Sequence, residues 1–492
     1  MNDLLYGLAG NPSLPPEWVD RLIATADADV AGALADRPDL TRAQVAALAA
    51  RDEGAALSLA YGGRLSAADV DPVDRPFVAL ALLDGRAGPP EWARLLATTG
   101  SVEQREKLAG CPGLPEDVAR ALAADPEVGV VAELALWTTS DLAARLAEHP
   151  HAGVRRAVAV NEATPPDVLA ALLDGGALPP ARFCRVCEHE PTHEPTPPGE
   201  HCEGAHESTV HATLQAALGN PATPASAAAA FVDHPSLLLR QELAGRIDLP
   251  PQVYARLATD PVPWVRAQLA DNPGIGEELI RTLAVDLGHD VRRRLAHHPA
   301  VPLDVLDRLA STVRIGPTPL PRISSATPDE IAGLATSPNP VLRMFLAGRT
   351  DLPDEIRDAL ARDPDAKVVG ALAPHPGLRE AQLASMIDRH GARVAARVAA
   401  NPDATAALLE RLAHIRPPVR KALREIARHR HATAAALIPC LDDLRARPLA
   451  AAHPALPPPV IAELLADEDA QVVHAAAANP SLPSAAMARL LR

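Results

Sequence analysis

Proline recurs with a period in this chain, and that period limits what it can fold into. Three windows of equal length align without gaps: DLPPQVYARLATDPVPWVRAQLADNP at 248–273, DLPDEIRDALARDPDAKVVGALAPHP at 351–376 and ALPPPVIAELLADEDAQVVHAAAANP at 455–480. The closing Asn-Pro or His-Pro returns at Asn220, His234, Asn272, His298, His375, Asn401, His453 and Asn479. In the front half, Asn11 and Arg37 each precede a proline and stand one such window apart, and Cys111 and His149 also precede one. The chain holds 51 prolines in 492 residues, a content that points to disorder only when it has no order of its own. Here it has order, and about 17 degenerate units fill the length.

One unit shows the physics. Pro250 and Pro251 stand where a helix begins, because proline fits a first turn and cannot continue a preceding helix. Val253 and Leu257 are four apart and share a face. Asp260-Pro261 ends this helix, since the residue before proline avoids the helical region. Trp264, Val265 and Leu269 are expected to form the buried face of a second helix, which Asn272-Pro273 stops. Asparagine is expected there as a left-handed cap. Helices of about 7–10 residues do not persist alone in water, so each apolar stripe must be covered by the next unit. That is the logic of a solenoid.

The pattern NPxLPPxxVxxLAxDPxxxVRxxLAxNP resembles the leucine-rich repeat variant family, and its second half is similar to HEAT-like repeats. The resemblance covers the chain outside 181–219. It implies an all-α, right-handed α-solenoid of paired short helices, the second of each pair possibly of the 3-10 type. Some members of that family carry an iron–sulfur segment at the N-terminus. The Cys-rich segment here is internal and has three cysteines, which departs from that pattern.

Residues 181–211 interrupt the repeats and divide the chain into an arm at 1–180, a Cys/His insertion, and a second arm at 212–492. Cys184, Cys187, Cys202 and His206 form the pattern Cys-x2-Cys-x14-Cys-x3-His. Two close pairs joined by a loop suit tetrahedral zinc held by three thiolates and an imidazole. His189, His193, His201 and His211 compete with His206 for the fourth position. An iron–sulfur cluster or redox use is the alternative. Thr192 to Gly199 lacks apolar residues, so a metal would supply the folding energy that packing does not. Cys111 and Cys440 read as packing residues. Residues near 311–327 read as a longer loop in the second arm.

Second helices repeatedly carry a cation: Arg240, Arg266, Arg292, Arg343, Lys367, Arg393 and Arg420, at or near the spacing of the repeat. Two readings are open. Asp260, Asp286 and Asp363 precede members of the row by a few residues, so Asp–Arg pairs would tie units together. Alternatively the row faces an anionic peptide or a phosphate backbone. Residues 379–430 hold 11 basic and 5 acidic groups, among them Arg416, Arg420 and Lys421.

The net charge is −15, and 1–180 accounts for −12 of it, which disfavours a phosphate backbone on that half. The aromatic side chains, Trp 4, Tyr 3 and Phe 4, are too few for stacking platforms along a single strand. No GxSxG, Walker loop, GxGxxG or HExxH stands in the sequence. No apolar run is long enough for a membrane helix, no secretory leader is visible, and five cysteines make no disulfide framework. The expectation is a cytoplasmic, non-catalytic scaffold that binds a protein partner. A nucleic-acid binder using 379–430 is the second reading, and a redox sensor at the cysteines the third.

Overall fold

The computed structural model describes residues 2–179, 181–184 and 207–491. Short helices follow one another throughout, with no strand among the described residues. The protein is an all-helical repeat solenoid. Contacts divide it into two compact units, 1–62 with 317–492, and 63–316. The boundary at Gly316–Pro317 falls in the proline-rich stretch that the sequence marks as a long loop. There a short helix, Pro321–Ser324, is the only order between Leu303–Thr312 and Pro328–Ala335.

The unit at 248–273 forms as its residues dictate. Pro250 caps helix Pro251–Leu257, with proline in the first turn, and Val253 and Leu257 are buried. The second helix is Pro263–Ala270, with Val265 and Leu269 fully buried. It is an α-helix, as are the second helices of the other units; 3-10 turns occur among the described residues at Ala67–Asp69 and Ile438–Asp442. Trp264 departs from the expectation: it is 55% exposed. It stands next to the buried stripe rather than in it, because Val265 and Leu269 already face the neighbouring helices.

The Asn-Pro positions are not left-handed caps. The sole non-glycine residue with positive φ among the described residues is Arg86. These asparagines are instead buried donors that join one repeat to the one before. The Asn272 amide donates to the carbonyls of Ala244 and Arg246, at 2.7 and 2.6 Å. Its own oxygen accepts the Gly274 N–H at 2.8 Å. Asn401 repeats this with Ala373 and His375, and Asn479 with Ala451 and His453. Each helix end leaves carbonyls without intrahelical partners, and the next repeat supplies the N–H they lack.

Histidine and arginine serve in the same slot. His298, His429 and His453 each place Nε2 against the corresponding carbonyl one repeat back, at 2.9, 2.8 and 3.1 Å. Arg246 reaches the carbonyls of Leu218, Asn220 and Thr223. At the insertion the ladder skips: Asn220 donates to Ala159 and Asn161, far beyond the usual reach along the chain. The insertion therefore lies inside one repeat, between its first helix Pro166–Asp174 and its second, Glu207–Gly219.

In the unit made of 1–62 and 317–492 the ladder also joins the chain's two ends. Helix Asn2–Ala9 packs on helix Ala470–Ala477. Asn11 donates to Ala477 and Asn479 at 2.9 and 2.8 Å, the same bonds an internal repeat makes. Arg37 then donates to Ala9 and Asn11. A Cβ on Gly7 would fall on the His474 carbonyl oxygen, so this approach requires glycine. The stack running from 317 to 492 continues into residues 1–62 without a covalent link.

Candidate functional site

The rung residue gives a common register in which to place the predicted cations. Arg240, Arg266, Arg292 and Arg343 stand six residues before the rungs Arg246, Asn272, His298 and Arg349. Three of them are tied up. The Arg240 guanidinium donates to both oxygens of Asp260, Nε at 2.6 Å and Nη2 at 3.2 Å. Arg266 does the same to Asp286, and Arg343 to Asp363. Each partner lies ahead in the chain, at the end of the next repeat's first helix. The carboxylate that precedes the arginine contributes its backbone instead: Arg266 Nη1 donates to the Asp260 carbonyl at 2.7 Å. The Asp260, Asp286 and Asp363 carboxylates also accept a backbone N–H two residues on, which fixes their own turn.

These pairs are sheltered. The side chains of Arg240 and Asp260 are 11% and 4% exposed. The bond to Asp260 holds the Arg240 guanidinium above its ordinary pKa. Burial pushes Asp286 upward, but the Arg266 bond and the Gly288 amide keep it below the usual carboxylate range. Arg105–Asp125 and Arg447–Asp467 are further copies of the same pair. Arg292 has Thr312 at the partner position, and its Nε is buried without a hydrogen bond.

Lys367 and Arg393 belong to a different row. They stand eight residues before the rungs His375 and Asn401, the position that Trp264 holds in its unit. Lys421 and Arg445 stand eight before His429 and His453. The intervals between these cations follow the rungs even where the repeat lengthens, from Asn401 to His429, or shortens, from His429 to His453. The following residue is buried in all four units: Val368, Val394, Ala422 and Ala446. Each cation is exposed, and none makes an ion pair or side-chain hydrogen bond among the described residues. In three of these units the inner position that carries arginine elsewhere is Val369, Ala395 or Leu423.

Arg420 lies one residue outside this row and approaches Asp443 only to 3.9 Å, with 85% exposure. Arg416 is exposed and touches the Ile415 carbonyl at 3.3 Å. Several cations of 379–430 are engaged elsewhere. Arg379 pairs with Asp358, Arg411 with Asp388 and Arg428 with Glu425, and Arg389 donates to backbone carbonyls. Arg445 escaped the sequence reading because the regular repeat spacing does not lead to it. Counting back from His453 rather than forward from Arg420 would have found it.

A groove of about 1050 Å³ adjoins one end of the row. Leu320, Ile323, Met344 and Phe345 supply its apolar lining, and Lys367, Arg393 and Arg397 line it as well. Its two carboxylates are engaged: Asp351 pairs with Arg349, and Asp365 accepts the Lys367 backbone N–H.

Of the predicted metal ligands, Cys184 alone lies within the described residues; Cys187, Cys202 and His206 lie outside them. Cys184 is fully buried against Ala152 and Ala181. The Phe183 carbonyl accepts the Ala152 N–H at 2.9 Å, and Arg182 N–H donates to Pro150 at 2.7 Å, so the insertion's start is pinned to helix Ala152–Val160. His211 Nε2 meets Ser236 Oγ at 2.7 Å. No group of three His, Cys, Asp or Glu able to hold a metal occurs among the described residues. Burial pushes the thiols of Cys111 and Cys440 up to about 12, which keeps both protonated at neutral pH.

No family model matches the chain, and no curated protein does. Several solved structures are similar at low level, two of them as follows. The crystal structure of SYS-1 is 12% identical, with 95% of this chain and 99% of that one covered and a TM-score of 0.22. The structure of the Pds5-Scc1 complex is 14% identical, with 96% and 67% covered and a TM-score of 0.15. No helix among the described residues is long and apolar enough to cross a membrane.

Proposed function

We propose that this chain is a non-catalytic scaffold that binds a protein partner in the cytoplasm. The observation that carries this reading is the division of labour in the repeat. Rung residues and Asp–Arg pairs hold the units together from inside, so the outer position of each second helix is left to vary. That position is Trp264 in one unit and Lys367, Arg393 or Lys421 in others, and in the unit of His453 it is Arg445, in the turn before helix Arg447–Ala451; all five are exposed. Within each compact unit such a stack presents one variable residue per repeat, the arrangement repeat proteins use for recognition. We assign the repeats to the leucine-rich repeat variant and HEAT-like type, right-handed and about 17 in number.

Affinity capture with the full chain under native conditions should return a discrete protein at near-stoichiometric level. Capture of nothing from the source cell overturns the reading.

The second element of the proposal is structural zinc held by Cys184, Cys187, Cys202 and His206. Its support is the spacing of these residues and the anchoring of Cys184 at the start of the insertion. Elemental analysis should find one zinc per chain, lost in Cys184→Ser together with protease resistance near 181–211. A brown protein would replace zinc with an iron–sulfur cluster, and unchanged metal in the variant would remove the assignment.

A further inference from the structure

From the outer cation row and the groove beside it, we infer that residues 317–453 dock an acidic peptide segment in extended form, anchored by an apolar residue. The inference rests on the scaffold reading and names the chemistry of its partner.

Five features carry it. The row is unconsumed. In this fold an arginine needed for stability sits six residues before the rung and is met by an aspartate, as in Arg343–Asp363. Lys367, Arg393, Lys421 and Arg445 sit two residues further out, with no carboxylate on them among the described residues. The row is also continuous, because each helix packs on the next: Ala366–Leu372 on Ala392–Ala399, that on Arg420–Arg428, and that on Arg447–Ala451.

The step of the row fits a peptide. Neighbouring helices pack roughly 8–10 Å apart. A chain in the extended polyproline II form rises roughly 3.1 Å per residue and returns its side chain to the same face every third residue, so every third side chain meets the next cation. A nucleic-acid strand is charged far more densely, about one phosphate per 3.4 Å of duplex axis on each strand, and leaves most phosphates unmatched. Exposed large aromatics on which bases would stack stand elsewhere, at Tyr6, Tyr61, Trp137, Phe183 and Trp264.

The groove supplies the remaining specificity. Its lining joins the half-buried Met344 to Lys367, Arg393 and Arg397. A phosphate backbone has nothing to place against such a lining. A Leu or Phe at one end of an acidic segment does, and its burial there sets the register of the acids along the row. Charge complementarity fixes the sign: this cationic strip lies in a chain of net charge −15, so anionic partners are repelled elsewhere and held here.

The test is fluorescence anisotropy with the full chain at low and moderate salt. The probe is a labelled peptide with Leu-Phe followed by glutamates at every third position, a step of roughly 9 Å. It should bind, and Lys367→Ala/Arg393→Ala/Lys421→Ala/Arg445→Ala should weaken it by about tenfold or more. A charge-matched control, Arg94→Ala/Arg120→Ala/Arg281→Ala/Arg308→Ala, should leave binding unchanged. Met344→Gln, which removes the apolar contact without adding charge, should weaken the Leu-Phe peptide and spare one in which Gly-Gly replaces Leu-Phe. Equal loss in the control and the row variant overturns the inference, as does tighter binding of a single-stranded oligonucleotide that competes the peptide away. The scaffold reading fails separately. A captured partner that the row variant still retains removes the row and leaves the scaffold, whereas no partner for the unaltered chain removes both.

Discussion

Residues 234–298 and residues 363–453 are built on the same rung, yet they use their cations differently. In the first stretch Arg240 and Arg266 face inward onto Asp260 and Asp286, and the outer position carries Leu238 and Trp264. In three units of the second the inner position is Val369, Ala395 or Leu423 and the cation has moved outward to Lys367, Arg393 and Lys421, while the unit of His453 holds both, Arg447 on Asp467 and Arg445 outside. A move of two residues on a helix turns a side chain by about 200°, which takes a guanidinium from a sheltered carboxylate to solvent. The difference teaches that basic residues at similar spacing need not do similar work. What decides is their count from the buried rung.

The largest effect should be common to both stretches. Asn272→Ala and Asn401→Ala each leave two buried carbonyls without donors, and each should cost about 3 kcal/mol in chemical denaturation. A loss in one stretch only would break the claim of a shared rung. At the join between the chain's ends, Gly7→Ala should cost about 2 kcal/mol, since a Cβ there meets backbone that cannot rotate away. Amide exchange should then rise in residues 3–35 and stay unchanged at 248–273.

The third test separates the two stretches. Arg266→Ala strands the sheltered Asp286 carboxylate and should cost about 2 kcal/mol, whereas Lys367→Ala or Arg393→Ala should change stability by less than about 0.5 kcal/mol. Equal costs would erase the distinction between inner and outer rows.

Acidification gives a subtler contrast. Burial lowers the pKa of His298, His429 and His453, and the carbonyl on each Nε2 opposes this only in part. Each Nδ1 accepts a backbone N–H, from Ala300, His431 and Ala455, so the folded ring is neutral with its proton on Nε2. The unfolded chain takes up a proton near pH 6.5 and the folded chain only at lower pH. Between those points the unfolded state holds more protons, so stability falls as pH drops through about 6.5 and levels off once the folded rings are protonated. The stretch 363–453 has two such rungs in succession and should loosen first, read as faster amide exchange in Arg447–Ala451 than in His289–Leu295. Replacing His429 and His453 by asparagine should flatten the pH dependence.

Much of this was legible in the residues. Pro250-Pro251 and Asp260-Pro261 mark helix ends by proline's geometry alone, and Val253, Leu257, Val265 and Leu269 mark the buried stripe by their spacing. The repeat of Asn-Pro was visible as well, but not its purpose. A local rule gave Asn272 the task of capping its own helix, whereas its partners, the Ala244 and Arg246 carbonyls, lie a full repeat back. Spacing alone groups Trp264 with Val265 and Leu269 on one buried face, while the stack leaves its position outside.

The sequence by itself determined that this chain is a series of short helices, each too brief to stand without neighbours, because proline and apolar spacing act within a few residues. Only the tertiary structure decided which polar side chains are used up between repeats, which cations remain for a partner, and that Asn11 at one end completes the rung begun by Asn479 at the other. Those outcomes depend on which groups stacking brings within hydrogen-bond distance, and that distance has no counterpart along the chain.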